Sequence, residues 1–316
     1  MKINRLEVTN FRGIGEFKKE LKNPLTDKPL DIVVFAGPNG SGKTSLLESI
    51  VITLTNPRTK EDKTFKRNNG RDGQDPSVTI ELMDGADYHR ISYQSTTDGK
   101  DRLIRNSLQD KIEYFSSWRE PLLKGALYVT LGRKGKRPQD VEVNRLWNLK
   151  QFLINAYVSD KLSQEMSLSP NSYEESISRI EQALGSFFPG SDIDIRIQQV
   201  GASIEDGFDV FLKYPNTNHH YVALDDLSSG EIELFSFLSS ILRKELANGI
   251  LIIDEPELHL HVSWHRVFLS ALRELLPDTQ IICATHSLEI IESVKSYELF
   301  LLGEDDDYRS GVGSYE

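Results

Sequence analysis

Hydrophobic and polar positions divide this chain into stretches of different period. Residues 2–9 alternate, with Ile3, Leu6 and Val8 apolar, and read as a strand. Residues 31–36 (DIVVFA) form a short apolar run bounded by polar residues and a glycine, the pattern of a buried parallel strand. A Gly-rich turn follows, and then Leu46, Leu47, Ile50, Val51 and Leu54 recur at helical spacing. Residues 56–76 are polar and turn-rich and predict a mobile surface loop. Strand patterns return at 77–83 and 88–94, separated by turn signals, and suggest an antiparallel sheet. Residues 111–118 (KIEYFSSW) are a further candidate strand. Between about 140 and 190 the period becomes helical, through Val143, Leu146, Leu149, Phe152, Leu153 and Ala156, then Ile177, Ile180 and Leu184. This stretch is predicted to be an inserted helical lobe. Residues 193–224 revert to strands. From Ser228 the order is helix, strand (250–253), helix, strand (280–284), helix, which is the alternation of a parallel α/β core.

Composition narrows this picture. With 316 residues the chain can build one large α/β core carrying one inserted lobe. A formal charge of −11 argues against a protein that coats nucleic acid over its whole surface. Two local basic stretches stand out: 132–137 (GRKGKR), and 58–71, which holds Arg58, Lys60, Lys63, Lys66, Arg67 and Arg71. Each reads either as a solvated face or as a local DNA, RNA or tRNA contact. Cys283 is the single cysteine, so no disulfide framework or cysteine-based zinc cluster is possible within one chain, which fits a reducing cytoplasm. The N-terminus lacks an apolar leader and no apolar run approaches membrane length, so a soluble cytoplasmic protein without membrane partners is expected. The acidic run 304–307 reads as a solvated tail.

The strongest chemical signal is Gly37 to Thr44, GPNGSGKT, which fits the phosphate-loop pattern between a strand and an apolar-periodic helix. The small residues around Asn39, Gly40, Ser41 and Gly42 let backbone N–H groups turn inward on phosphates. The helix start at Lys43, Thr44 and Ser45 adds a positive dipole end. Lys43 supplies a point charge for the β- and γ-phosphates, and the Thr44 hydroxyl is a Mg²⁺ ligand. The competing reading is a Gly-rich turn with a solvated lysine. Residues 250–253 end in Asp254 and Glu255, where Asp254 would hold the Mg²⁺ shell and Glu255 would orient and polarise the attacking water. Two acids can open any loop after a strand; the phosphate loop upstream favours the functional reading. Ser228 and Glu231 in LSSGE form an S-x-x-E capping box. The same helix start, with Ser229 and Gly230, is an anion site suited to a γ-phosphate held by a second subunit. His286, at the end of the strand 280–284, stands where ligands of parallel sheets bind and could hydrogen-bond that phosphate. His259, His261 and His265 form H-x-H-x₃-H; they read either as a zinc site that lacks a firm fourth ligand or as part of a head–head interface.

In order, GPNGSGKT, LSSGE, IIDEP and ATHS resemble the ABC-type ATPase head of the RecF/SMC-like group, including the ATPase part of OLD-family proteins. The opening INRLEVTNFRGIGEF resembles that group's first strand. The resemblance implies an α/β P-loop head with a mixed parallel core sheet, an antiparallel β subdomain and a small helical inserted lobe. It implies that Ser228 and Gly230 act in trans, that Arg12 approaches the nucleotide phosphates, and that two heads sandwich two ATP molecules. Ser229 replaces the usual first signature glycine. No glutamine fits the usual place between the halves, although Arg119 stands near it. There is no room for long coiled-coil arms. About thirty residues follow His286, too few for the nuclease domain of full OLD proteins.

The expected function is a Mg²⁺-dependent ATPase that dimerises around ATP, or forms a higher oligomer, and gates a separate effector such as a nuclease or toxin in a prokaryotic anti-phage defence system. The alternatives are a RecF-like repair clamp binding DNA directly and a scaffold that holds ATP with little turnover.

Overall fold

The computed structural model describes residues 1–55, 76–85, 87–93, 108, 111–116, 145–165, 172–189, 193–202, 207–213, 220–243, 246, 248–258 and 260–303. The basic stretches 58–71 and 132–137, Arg119, His259 and the acidic tail lie outside these residues. The chain divides into two compact units: Met1–Ser117, Leu246–Leu258 and His265–Glu316 form the first, and Trp118–Glu245 with His259–Trp264 form the second.

In the first unit, β3 (Ile32–Ala36), β10 (Ile250–Asp254) and β11 (Gln280–Thr285) are buried at every position. Their uninterrupted apolar runs are what strands covered on both faces require. They form the centre of a sheet ordered β12-β3-β11-β10-β6, in which every described pairing is parallel. β6 (Ile112–Phe115) lies within the candidate strand 111–118 and takes one edge of this core. β12 (Leu299–Leu301) takes the other and was not anticipated, because three residues carry no readable period.

β1 (Lys2–Phe11) belongs to a second, antiparallel sheet, ordered β2-β1-β4-β5, with β2 (Ile14–Glu20), β4 (Ser77–Asp84) and β5 (Asp87–Tyr93). Helix α1 (Lys43–Thr55) packs against both sheets, and one continuous apolar cluster joins all three layers. That double contact explains why α1 is buried nearly all round, with Leu46, Leu47, Ile50, Val51, Ile52 and Leu54 carrying its apolar contacts.

The two sheets are stitched by a buried glutamine. Gln280, fully buried at the start of β11, accepts from the Ile3 N–H at 2.6 Å and donates to the carbonyls of Ile3 at 3.0 Å and Leu30 at 2.8 Å. Gln280→Leu keeps the volume but strands the Ile3 N–H without its acceptor. A loss of at least ~2 kcal/mol is expected for a buried donor left unpaired. The check is a lower urea midpoint at an unchanged m-value; an unaltered midpoint would show the bonds to be dispensable.

In the second unit, helices α2 (Arg145–Glu165), α3 (Ser172–Phe187) and α4 (Ser229–Arg243) pack on one another. The sheet β7 (Asp194–Gln199), β8 (Phe208–Lys213) and β9 (Val222–Ala223) pairs antiparallel, and α2 and α3 lie against it. Lys150 of α2 is 1% exposed and bridges Asp209 of β8 at 2.7 Å and Asp225 at 2.8 Å. A lysine buried this deeply needs such carboxylates. The bridge fixes the turn Leu224–Asp226 that leads directly into the LSSGE segment. Among the described residues no helix is long and apolar enough to cross a membrane.

Two further elements complete the first unit: α5 (Val262–Leu275), whose residues from His265 onward belong to it, and the short α6 (Leu288–Glu292).

Candidate functional site

The first unit brings the phosphate loop and the acids after β10 together. Gly37 is the closest approach in the loop: a Cβ there would lie 2.2 Å from the Leu302 carbonyl oxygen, so no larger residue fits. Gly42 has φ 96, and a Cβ there would also press on Ile14 at 3.2 Å. These constraints bend the backbone so that the loop wraps around the start of α1. Asn39 and Gly40 are exposed at the loop's crest, and Ser45 is half-buried in the first helical turn. The Ser41 hydroxyl oxygen is buried without a hydrogen-bond partner. Inside a phosphate cradle such an orphan suits an incoming anion.

Lys43 is 6% exposed, and its ammonium donates to the carbonyls of Gly37 at 2.7 Å and Pro38 at 2.9 Å. Desolvation holds its pKa below the usual lysine range, against the opposing pull of Glu255, Asp254 and Glu257. Thr44 Oγ1 lies 3.1 Å and 3.0 Å from the two carboxylate oxygens of Asp254, which is itself buried. A hydroxyl and a carboxylate side by side are the oxygen donors that a hard divalent cation takes.

Glu255 follows Asp254 with φ 50, a left-handed conformation rare for a residue with a Cβ. Its N–H donates to the Ala284 carbonyl at 2.8 Å, which pins this turn to the neighbouring strand. Strained residues of this kind gather at functional sites. The parallel register places Asp254 opposite Ala284, so the ends of β10 and β11 lie side by side and Glu255 and His286 follow from adjacent strand ends.

Glu257 was not singled out in the sequence. It is 8% exposed, and its carboxylate accepts from Thr285 Oγ1 at 2.8 Å and from the His286 N–H at 2.9 Å. The same oxygen lies 3.1 Å from His286 Nδ1. A third acid in the run D-E-P-E was the available signal.

Arg12 takes φ 50 in the two-residue turn between β1 and β2, where Phe11 pairs with Ile14. Its guanidinium forms an ion pair with Glu48, a buried acid on α1, and lies 5.6 Å from the Phe11 ring centroid. Glu48 is a second functional-site neighbour that sequence reasoning passed over.

Ser228, Ser229, Gly230 and Glu231 belong to the second unit. The capping box is formed: Glu231 accepts from the Ser228 N–H at 3.0 Å and hydroxyl at 2.7 Å, and the Glu231 N–H reaches back to Ser228 Oγ at 3.4 Å. This helix start borders a cleft of about 590 Å³ whose walls include Phe187, Phe188, His261 and Trp264. His261 Nδ1 accepts from the Ser263 N–H at 3.3 Å and so caps the first turn of α5, and His265 Nδ1 lies 3.1 Å from Ser287 Oγ. Among the described residues no three His, Cys, Asp or Glu side chains are placed to hold a metal, and His259 of H-x-H-x₃-H lies outside them. Cys283 is buried in β11, and burial raises its thiol pKa, which leaves it a packing residue.

Residues 1–116 match a family model described as an AAA ATPase domain, and 142–292 match one described as an AAA domain, putative AbiEii toxin, Type IV TA system. The Septu protein PtuA of Bacillus thuringiensis is 23% identical over 325 residues, spanning 96% of this chain and 76% of that protein. The Retron Vc95 probable ATPase of Vibrio cholerae serotype O1 biovar El Tor is 29% identical over 168 residues, spanning 48% of this chain and 31% of that protein. Among solved structures, the SMC head bound to the C-winged helix domain of ScpA shares the fold at a TM-score of 0.56 and 14% identity, across 97% of this chain and 95% of that one. The phosphate loop, the two AAA-domain matches and the shared fold together mark an α/β P-loop head similar to the ABC-type ATPases of the RecF/SMC-like group.

Proposed function

We propose that this chain is a Mg²⁺-dependent ATPase head, residues 140–190 forming its inserted helical lobe, that closes as a dimer around ATP and thereby gates a separate effector protein in a prokaryotic anti-phage defence system. The observation that carries the ATPase reading is Thr44 Oγ1 on both oxygens of Asp254, beside the buried Lys43 ammonium. The defence role rests on similarity to Septu and retron proteins.

In this reading the inward backbone of Asn39 to Thr44 binds the phosphates, and Lys43 leaves the Gly37 and Pro38 carbonyls for the β- and γ-oxygens. Thr44 and Asp254 hold Mg²⁺, which supplies charge neutralisation for the phosphate chain when bound. Arg12 adds positive charge at the phosphates. Glu255 orients the attacking water and accepts its proton, and His286 donates to a γ-phosphate oxygen. Ser228, Ser229 and Gly230 meet the γ-phosphate of the facing subunit from a capped helix start, with Glu231 holding the cap.

The trans arrangement has a test that needs no partner. Ser228→Arg is expected to retain ATP binding and lose turnover. Mixed with Lys43→Ala, it forms hybrid dimers in which both lesions fall in one site and the other site is intact. Random pairing then restores about a quarter of wild-type turnover from two inactive proteins. If the mixture stays inactive, the signature does not act across a dimer. Recovery of a co-encoded effector with the wild-type protein from its native host, and none with DNA at moderate salt, would support the defence reading over a DNA clamp.

A further inference from the structure

We propose that Glu257 is the positioning residue of His286: it sets the tautomer of the ring and aims its free nitrogen at the γ-phosphate. The inference rests on the reading of His286 as a phosphate contact. Two hydrogen bonds and one close charge contact converge on one buried carboxylate. Oε2 accepts from the Thr285 hydroxyl at 2.8 Å, while Oε1 accepts from the His286 N–H at 2.9 Å and faces His286 Nδ1 at 3.1 Å. Glu257 is 8% exposed, whereas the His286 side chain is 44% exposed. The carboxylate is thus the fixed partner and the ring the projecting one.

Chemistry then sets the proton on Nδ1. An ionised carboxylate only accepts, so the nitrogen facing Oε1 carries hydrogen. The residue is held at its backbone N–H, and its ring faces the same carboxylate oxygen through Nδ1, which leaves Nε2 as the nitrogen on the far side of the ring to meet a ligand. A ring held by Nδ1 donates from Nε2 to a phosphate oxygen only as the imidazolium, and Glu257 balances that charge from the opposite edge. The Thr285 hydroxyl, which donates to the other oxygen and also accepts the Ser287 N–H at 3.0 Å, prevents the carboxylate from swinging away. Glu257 lies two residues past Glu255, so a single turn after β10 carries both the proposed water-orienting acid and the support of the histidine on the next strand.

The test compares His286→Ala, Glu257→Ala, Glu257→Gln and the Glu257→Ala/His286→Ala double variant of the full chain in steady-state ATP hydrolysis. Glu257→Ala should lower kcat roughly tenfold and leave KM within about twofold, the signature of a group felt in the transition state. Glu257→Gln should recover most of that loss, because its amide oxygen still accepts both His286 donors. The double variant should be no slower than His286→Ala alone. A normal kcat for Glu257→Ala beside an impaired His286→Ala would overturn the inference and leave the role of His286 standing. Multiplied losses in the double variant would overturn it as well. A normal kcat for His286→Ala would instead remove the reading of His286. Histidine ring ¹⁵N NMR tests the support independently of turnover. His286 should carry its proton on Nδ1 in the wild type and shift toward the Nε2–H form in Glu257→Ala. An Nε2–H tautomer in the wild type would overturn it.

Discussion

Lys43→Ala is expected to cripple ATP binding, lowering affinity by up to about a hundredfold in titration calorimetry with Mg²⁺-ATP. The Lys43 ammonium is buried at the helix start and its pKa is held down by desolvation. It is satisfied by the neutral carbonyls of Gly37 and Pro38, and three nearby carboxylates only partly offset the cost of burial. A charge so placed gains more from a polyanion than a solvated lysine would. Charge-assisted bonds of this kind contribute up to ~3 kcal/mol, which corresponds to about two decades of affinity. The variant also removes the clasp that closes Gly37 and Pro38 over the helix start, so the loop loses its preset shape. Unchanged affinity would remove the phosphate-loop assignment altogether.

Glu255→Gln is expected to behave in the opposite way. ATP affinity should stay within about threefold, while kcat falls by at least about a hundredfold, the range associated with loss of a positioned general base. Glu255 stands just past β10, in a left-handed turn whose backbone is pinned by the Ala284 carbonyl. The amide keeps the side chain's shape and removes its negative charge, both as base and as a neighbour of Lys43. With hydrolysis blocked and binding intact, ATP should accumulate a closed dimer, visible as a doubling of mass by light scattering in the presence of Mg²⁺-ATP. A variant that hydrolyses ATP at the wild-type rate shows that Glu255 is not the base. One that stops turnover without dimerising leaves Glu255 in place but removes the sandwich.

The two experiments separate the ground-state and transition-state halves of the same site. Binding is carried by the phosphate loop, whose residues are contiguous in sequence. In the proposed mechanism turnover depends on Asp254, Glu255 and His286, which follow from strand ends brought beside the loop because β11 pairs with both β3 and β10 in one parallel sheet. This division also marks how much was legible beforehand. The fully buried strands β3, β10 and β11 were readable because burial on both faces leaves a local apolar run. Helix α1 was readable from its apolar spacing, and the Ser228–Glu231 capping box from a four-residue pattern that closes on itself.

Other features carried no local trace. The strand at 2–9 was visible, but nothing in it reported that it pairs antiparallel with β2 and β4. The same holds for β6, which resembled its antiparallel neighbours in sequence and lies parallel to β10. Gln280 and Lys150 read as ordinary polar residues at the start of a strand and on a helix. Each proves to be buried with partners far away: Ile3 lies 277 residues from Gln280, and Asp225 lies 75 from Lys150.

The sequence by itself determined the P-loop fold class and the order of the central elements, because phosphate loops, caps and buried strands are built from neighbours along the chain. Tertiary structure alone decided which buried polar groups meet. It set Glu257 under His286, Glu48 on Arg12 and Gln280 between two sheets. A buried charge or amide must find its partner in space, and the distance along the chain to that partner leaves no period to read.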